Sequence, residues 1–303
     1  KNLCLVMVDE QHRFGVHQRL SLRDKGESGE YSPHQLILTA TPIPRTLAMS
    51  AYADLDVSTI NELPPGRTPV QTVAIANSRR DEIIERIENL CQQGSQVYWV
   101  CTLIDESEEI QAQSAQAAFE LIGSLLPSCT IALLHSKVPQ AQKISTMKAF
   151  KENQIQILVA TTVIEVGVDV PNASVMVIEN AERLGLAQLH QLRGRVGRGS
   201  TASHCILLYK SPLSAMAKER IDVMRQTDSG FIIAEKDLQL RGPGEILGTK
   251  QTGDLGYRIA DLSRDASLLP DVISLSNQLL SEYPENAEQI VNRWIGSAVR
   301  FAN

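Results

Sequence analysis

Six short apolar runs alternate with helical segments between residues 70 and 209, and this alternation restricts the chain to very few folds. Strands that alternate with helices of about 10–15 residues are typical of βαβ units, whose strands pair in parallel. Ligands of such sheets bind beside the carboxyl ends of the strands, so the loops after the runs are the first places to look for a site. We therefore predict an α/β fold with a mostly parallel sheet, with strands at 70–76, 96–101, 130–134, 155–160, 174–178 and 204–209 and helices at 79–91, 108–126 and 140–151.

Two further apolar runs, at 3–8 and 35–40, precede this region and are expected to be strands of a separate, partial domain. Three prolines and a glycine fall within residues 61–70, and neither a helix nor a central strand accommodates them, so a domain boundary is expected there. Beyond residue 210 the pattern becomes helical, with an interruption at Arg241-Gly-Pro-Gly244. The predicted divisions are 1–62, 63–210 and 211–303.

Composition excludes several classes of protein. Hydrophobic residues make up 43% of the chain, which is enough to build a core, so a disordered chain is excluded. The longest unbroken apolar run, Leu3–Val8, is far shorter than the ~20 residues that cross a bilayer, so we expect no membrane partner. The net charge of −6 opposes coating of nucleic acid by charge alone, although residues 193–225 hold seven basic and two acidic residues. That stretch is either a local polyanion site or a solvated helix face.

The cysteines predict the redox state of the chain, and the first residues predict where the natural protein starts. The five cysteines form no C-x-x-C pair, so we expect reduced thiols rather than a disulfide or zinc framework. The sequence opens without an initiator Met or a signal-peptide pattern, so we expect the natural start to lie upstream of Lys1.

Two acidic residues directly follow the first apolar run. Asp9 at such a strand end can hold Mg²⁺ on a nucleoside triphosphate, and Glu10 can orient the attacking water. Both residue types are also common in solvated turns. Thr39 and Thr41 follow the second run. Their hydroxyls could relay structural changes between a magnesium site and another surface, or threonine could be present only because it favours β-strands. Alone, neither pair identifies a function.

The segment Gln191-Leu-Arg-Gly-Arg-Val-Gly-Arg198 carries the sharpest chemical signal. Arg195 and Arg198 are three residues apart, so two forked guanidiniums can reach one compact anion, as arginine fingers reach a transferring γ-phosphate. A solvated basic helix has no need of the two glycines, each of which costs about 1 kcal/mol in a helix interior. Gly167 and Asp169 offer a close backbone approach and an acceptor for a ribose hydroxyl, or else a tight turn.

These segments have the order and approximate spacing of motifs II, III, V and VI of superfamily 2 helicases. The strings Val8-Asp-Glu-Gln-His-Arg-Phe-Gly15 and Thr39-Ala-Thr-Pro-Ile-Pro-Arg-Thr-Leu47 resemble the RecG group, and residues 227–253 resemble the translocation motif that this group shares with the transcription-repair coupling factor. The resemblance implies a RecA-like P-loop NTPase helicase lobe, preceded by a partial first lobe and followed by a helical C-terminal region. It also implies a monomeric helicase of the bacterial cytoplasm that uses ATP and Mg²⁺. Its partners would be branched double-stranded DNA, at stalled forks and Holliday junctions in recombination and repair, and single-stranded DNA-binding protein.

The resemblance further assigns roles to individual residues. Asp9 and Glu10 hold Mg²⁺ and position water, while Arg195 and Arg198 act on the γ-phosphate. The residues implied in the nucleotide cleft are His12, Gly167, Asp169 and Gln191. The residues implied in coupling ATP hydrolysis to movement on DNA are Thr39, Thr41, Arg220, Arg241 and Gln251.

The chain departs from the group in one respect, because the P-loop string G-x-x-x-x-G-K-[ST] does not occur in it. Gly194/Gly199 and Gly248/Gly253 have the glycine spacing, but Ser and Asp follow them. We therefore expect the phosphate-binding half of the first lobe and the group's N-terminal domain to lie outside these 303 residues. We also expect the chain alone to be inactive as an ATPase.

Two other interpretations stay open. The transcription-repair coupling factor shares the translocation motif, although the Gln in Asp9-Glu-Gln-His12 and the short helical tail favour the RecG group. A passive nucleic-acid-binding module would use aromatic stacking platforms, and two Trp with 4% aromatic residues offer few of them.

Overall fold

The strands coincide with the apolar runs of the sequence. They are β1 (Leu5–Asp9), β2 (His34–Leu38), β3 (Val70–Ala76), β4 (Gln96–Val100), β5 (Ile131–Leu134), β6 (Ile157–Ala160), β7 (Ala173–Ile178) and β8 (Ser203–Tyr209). The last six form one sheet in the order β3-β8-β7-β4-β6-β5, and every neighbouring pair is parallel. The predicted α/β fold with a mostly parallel sheet is confirmed.

Helices connect most of these strands, as parallel pairing requires. They are α1 (Arg80–Gln92), α2 (Glu108–Leu125), α3 (Gln140–Lys151), α4 (Leu186–Arg193), α5 (Ala215–Gln226), α6 (Gly230–Arg241), α7 (Leu269–Glu282) and α8 (Pro284–Trp294). The first three agree with the predicted helices to within a residue or two at each end. The sequence pattern missed α4, because eight residues followed by a glycine give too few turns for a clear apolar stripe.

The structure is a computed structural model that describes most, but not all, of the chain. The chain divides into two compact units, Lys1–Pro42 with Glu62–Asp237 and Ile43–Asn61 with Leu238–Asn303. The first unit continues past residue 210, because α5 packs against β3, and the predicted divisions stay predictions. The described residues are 3–9, 33–39, 56–60, 62, 67–102, 108–161, 169–199, 201–241 and 264–294.

The core of the six-stranded sheet lies around β4, β6 and β7, in which every residue is buried. Strands of a parallel sheet that are covered on both faces read as nearly continuous apolar runs, and in these three strands only Gln96 and Ser174 are polar. Trp99 of β4 packs into a cluster with apolar side chains of α1 and α2. Its neighbour Tyr98 points to the opposite face and meets the ring of Phe150 edge-on, with centroids 4.9 Å apart. The sheet therefore carries helices on both faces.

β1 and β2 form a separate two-stranded parallel sheet. Asp9 pairs with Leu38 at the end of the ladder, so the carboxyl ends of both strands meet at one edge. This register places Asp9 close to Thr39, which directly follows β2.

The second unit contains the helices α7 and α8, which contact each other. Tyr283 separates them, and Pro284 opens α8, a position that a helix tolerates because its first N–H groups have no partner within the helix. Across the described ranges, no helix has the length and apolarity that a membrane-spanning helix requires.

Candidate functional site

Residues 194–199, which we call the arginine loop, leave the end of α4 and lead towards β8. Gly197 has a φ of +75°, a region that side-chain-bearing residues rarely adopt. A Cβ atom at this position would also stand 2.6 Å from Cγ2 of Val70. Glycine is therefore required at position 197, for a turn and for a close approach of the loop to β3. A solvated basic helix would need neither Gly194 nor Gly197, and the turn with its close approach to β3 explains the glycine at position 197.

Arg198 and Asp169 meet at this loop. Nη1 of Arg198 lies 3.3 Å from Oδ1 of Asp169, and Nε of Arg198 donates to the carbonyl oxygen of Gly194 at 3.1 Å. The side chains are 30% and 59% exposed respectively, so the ion pair is open to solvent. Two of the predicted site residues, from separate motifs, are thus brought together, and the guanidinium remains accessible to an anion.

The charges of this ion pair also affect the pKa of a buried tyrosine, Tyr98. Burial raises the pKa of the Tyr98 phenol to about 12, and the nearby charges of Arg195 and Arg198 act against that rise while Asp169 adds to it. Three predicted site residues therefore lie within electrostatic reach of one buried ring. Arg195 is half-buried, as is Gln191 on α4.

The arginine loop lies beside the starts of strands rather than their ends. A Cβ at Gly197 would approach Val70 and Ser203, the first residues of β3 and β8, and one at Gly199 would meet the carbonyl of Pro171, just before β7. The arginine loop therefore does not lie at the carboxyl ends of the strands, where a ligand site is expected from the fold. Its position follows from the preceding helix α4, which delivers the chain to the amino-terminal edge of the sheet.

The basic run that begins at Arg193 does not form one surface. Arg193 is only 3% exposed, and its Nη1 donates to the carbonyl oxygens of Met224 and Thr227 at 3.0 and 2.9 Å. Burial lowers the pKa of its guanidinium. Arg193 thus fastens α4 to the end of α5, a structural role that the sequence pattern did not separate from that of its neighbours.

Arg220, to which the family resemblance assigns a role in coupling, also donates to backbone carbonyl groups. Its Nη1 donates to the carbonyl oxygen of Leu184 at 2.8 Å, and its Nη2 donates to that of Glu182 at 3.0 Å. These bonds hold α5 against the short turn Ala181–Arg183 that precedes α4. A movement of α5 would therefore be transmitted to α4, the helix that precedes the arginine loop.

The remaining predicted residues are described only in part. Asp9 is the last residue of β1 and Thr39 directly follows β2; both are exposed, at the same edge of their sheet. Arg241 is the last residue of α6, and its side chain is outside the description. The predicted residues that lie outside the described ranges altogether are Glu10, His12, Thr41, Gly167 and Gln251.

Sequence reasoning missed a polar cluster at the carboxyl ends of β4 and β7. Nη2 of Arg80 lies 2.5 Å from Oε1 of Glu179, and its guanidinium lies 5.4 Å from the ring centroid of Trp99. Thr102 donates to the carbonyl oxygens of Glu179 and Asn180, which ties the two strand ends together. Burial and the neighbouring Glu179 carboxylate raise the pKa of the Cys101 thiol. Because Arg80 and Glu179 are far apart in the chain, no local pattern could have paired them.

Comparison with known proteins agrees with this architecture. The helicase conserved C-terminal domain matches residues 79–200, and the family described as ATP-dependent DNA helicase RecG, domain 3, C-terminal, matches residues 227–294. The chain is 58% identical over 302 residues to the ATP-dependent DNA helicase RecG of Escherichia coli (strain K12), which covers 99% of this chain. The chain belongs to the RecG family. It is also 56% identical over 303 residues to the RecG of Haemophilus influenzae.

A solved RecG structure resembles the chain as well. The structure of RecG bound to a three-way DNA junction aligns with a TM-score of 0.66 and 44% identity, covering 89% of this chain and 34% of that one. The chain spans 44% of the length of the two RecG relatives named above, so it corresponds to less than half of either protein.

Proposed function

We propose that this chain is part of an ATP-driven DNA motor that remodels branched DNA, and that its arginine loop serves the ATPase site. The observation that carries the proposal is the ion pair between Arg198, on the arginine loop, and Asp169. The turn of that loop requires glycine at position 197. The names of the relatives, ATP-dependent DNA helicase RecG, support the activity. The similar structure bound to a three-way junction supports branched DNA as the substrate.

The arginine loop suits the chemistry of phosphoryl transfer. Negative charge spreads over the oxygens of the γ-phosphate in the transition state, and a forked guanidinium can donate to two of them. Arg198 keeps Nε on the carbonyl oxygen of Gly194, which leaves Nη1 and Nη2 to turn from Asp169 to an incoming phosphate. Arg195 adds a second positive charge three residues away. Asp169, released from Arg198, would accept a hydrogen bond from a ribose hydroxyl.

Asp9 and Glu10 are proposed to hold and use the magnesium ion of the nucleotide. An exposed carboxylate at a strand end fits Mg²⁺, which prefers oxygen ligands and retains several of its waters. When bound, Mg²⁺ neutralises charge on the β- and γ-phosphate oxygens. Asp9 would orient the hydrated ion, and Glu10 would align the attacking water. His12, Gly167 and Gln191 complete the proposed nucleotide contacts.

Coupling to DNA is proposed for a second set of residues. Arg241 ends α6, and the sequence then continues Gly242-Pro-Gly244, which cannot extend a helix. A hinge at such a position would convert closure of the nucleotide site into displacement of the chain that follows. The full set proposed for coupling is Thr39, Thr41, Arg220, Arg241 and Gln251. Single-stranded DNA-binding protein as a partner, a monomeric state and a bacterial cytoplasmic location belong to the same proposal.

The test of coupling compares two activities of the full-length protein on one branched DNA. Arg241→Ala and Gln251→Ala should retain most DNA-stimulated ATP hydrolysis but lose junction unwinding. Gln278→Ala is the matched control, because Gln278 lies on exposed α7 and its side chain donates to the side chain of Glu282 on the same helix. Equal loss of both activities would point to failed DNA binding, and unchanged unwinding would remove the coupling role.

The same assay separates the other candidates. A passive nucleic-acid-binding module would bind the junction and show no DNA-stimulated hydrolysis. The match of residues 227–294 to the RecG domain 3 model favours the RecG group over the transcription-repair coupling factor.

A further inference from the structure

Two arginines from distant parts of the chain donate to one carbonyl oxygen. The Gly194 oxygen accepts from Nε of Arg198 at 3.1 Å and from Nη2 of Arg67 at 3.3 Å, although Arg67 lies 127 residues earlier. Gly194 caps the C-terminal end of α4, where the last carbonyl groups lack partners within the helix and carry partial negative charge. Two positively charged guanidiniums therefore interact favourably with the Gly194 oxygen.

The segment that carries Arg67 runs along the arginine loop. Oγ1 of Thr68 donates to the carbonyl oxygen of Thr201 at 3.3 Å. Gly197 approaches the same segment so closely that a Cβ would meet Val70 Cγ2 at 2.6 Å and the Thr68 carbonyl oxygen at 3.3 Å. Residues 67–70 thus contact the loop at its start, its middle and just beyond its end.

The charge of Arg67 also affects the pKa of His190, in the last turn of α4. It is one of the charges that lower the pKa of His190, after burial and Arg193, which places the guanidinium near the last turn of that helix. Arg67 is half-buried rather than fully solvated. A freely solvated surface arginine would show neither property.

From these contacts we propose that Arg67 is a positioning residue for Arg198, acting through the Gly194 carbonyl. Arg67 fixes the oxygen that anchors Nε of Arg198, and so it sets where the remaining guanidinium nitrogens point. It touches no reacting atom itself. The inference rests on the proposed function, because it concerns the orientation of an ATPase residue.

The test measures DNA-stimulated ATP hydrolysis by the full-length protein with Arg67→Ala, Arg67→Lys and the control Arg79→Ala. Arg79 is an exposed arginine that bonds only to Glu82 among the described contacts. Arg67→Ala should lower kcat about 10- to 100-fold with little change in KM, since small misplacements of a catalytic group cost that much. Arg67→Lys should recover part of the loss, because an ammonium can still donate to the Gly194 oxygen. Arg79→Ala should match the parent.

A double-mutant cycle shows whether the effect passes through Arg198. In an Arg198→Lys background, Arg67→Ala should lower kcat by less than about threefold, because residues acting as one unit are not additive. Full additivity, an effect on KM alone, or an unchanged kcat would overturn the inference. If Arg67→Ala lowers the unfolding temperature, Arg67→Met replaces it, because Met keeps an apolar stem but cannot donate to the Gly194 oxygen. A kcat of Arg67→Met equal to that of the parent would also overturn the inference. Failure of the proposed function is recognised separately, since Arg198→Ala itself would then leave turnover unchanged.

Discussion

Arg198 and Asp169 lie 3.3 Å apart, from Nη1 to Oδ1, although 29 residues separate them in the chain. The contact joins the two segments that the sequence assigned to the γ-phosphate and to the ribose. It also means that the two side chains pair their opposite charges with each other.

Asp169→Asn tests the ribose role of this carboxylate. We expect the KM for ATP to rise, and we expect the parent's preference for ATP over 2′- or 3′-deoxy-ATP to shrink, because the acceptor of the hydroxyl is weakened. The free energy of unfolding should change by less than about 1 kcal/mol, as is usual for exposed ion pairs. Steady-state kinetics of the full-length protein with both nucleotides measures this. Asp222→Asn, which breaks a comparable exposed pair with Arg225, is the control, and an unaltered preference at Asp169→Asn would contradict the role.

Gly197→Ala tests the fit of the arginine loop against β3. The control is Gly94→Ala, because Gly94 also has a positive φ, +90° against +75°, but open space where a Cβ would stand. Both substitutions carry backbone strain of about 1–3 kcal/mol. Only Gly197→Ala adds overlap with Val70, so its loss of unfolding free energy should exceed that of the control by about 1–3 kcal/mol. Denaturant unfolding measures the difference, and adding Val70→Ala should recover part of it. Equal losses at the two glycines would show that the loop is not tightly packed.

His190 predicts a pH dependence of stability. Burial, with the charge of Arg193 next, lowers its pKa in the folded protein to about 4, against 6.5 for the ordinary side chain. Below pH 6.5 the His190 imidazole therefore binds a proton in the unfolded chain but not in the folded protein, until the pH nears 4. Stability from this group is complete above pH 6.5 and is lost as the pH falls towards 4, by up to about 3 kcal/mol.

The measurement for His190 is the free energy of unfolding between pH 4 and pH 7. His190→Gln should flatten the curve over this range. A slope that survives His190→Gln unchanged would refute the assignment.

The chain of 303 residues is expected to hydrolyse no appreciable ATP by itself. The P-loop string is absent from it, and with that string go the backbone N–H groups and the lysine that neutralise the β- and γ-phosphates. A phosphate-release assay with branched DNA is the measurement, with the full-length protein as the positive control. Hydrolysis by the shorter chain that Glu10→Gln abolishes would contradict this expectation.

The sequence predicted the sheet well because burial on both faces leaves a direct signature. The runs that became β4, β6 and β7 are almost wholly apolar, and their bounds differ from the prediction by two residues at most. The order of the strands could not be predicted, since β4 lies between β6 and β7 rather than beside its neighbours in the chain. Side-by-side pairing of this kind depends on tertiary packing, which local patterns do not record.

The candidate site was predicted by residue type but not by geometry. Arg193 and Arg198 look alike in the sequence, yet one is buried under α5 and the other is open beside Asp169. The bond from Arg67 to Gly194 spans 127 residues, so only the folded chain reveals it. Glycine at 197 was recognised as unusual, and the structure supplies the reason in its positive φ.

The central claim is that Arg198 stabilises charge on the transferring phosphate, and ATP turnover by Arg198→Ala in the full-length protein tests it most directly. Turnover with branched DNA should fall by about 10³- to 10⁵-fold, while nucleotide binding changes much less, because an arginine finger acts mainly in the transition state. Arg79→Ala, an exposed arginine in the same unit, should behave as the parent. Turnover of Arg198→Ala within about threefold of the parent would contradict the claim, because so little lost transition-state stabilisation would leave Arg198 an ordinary surface residue.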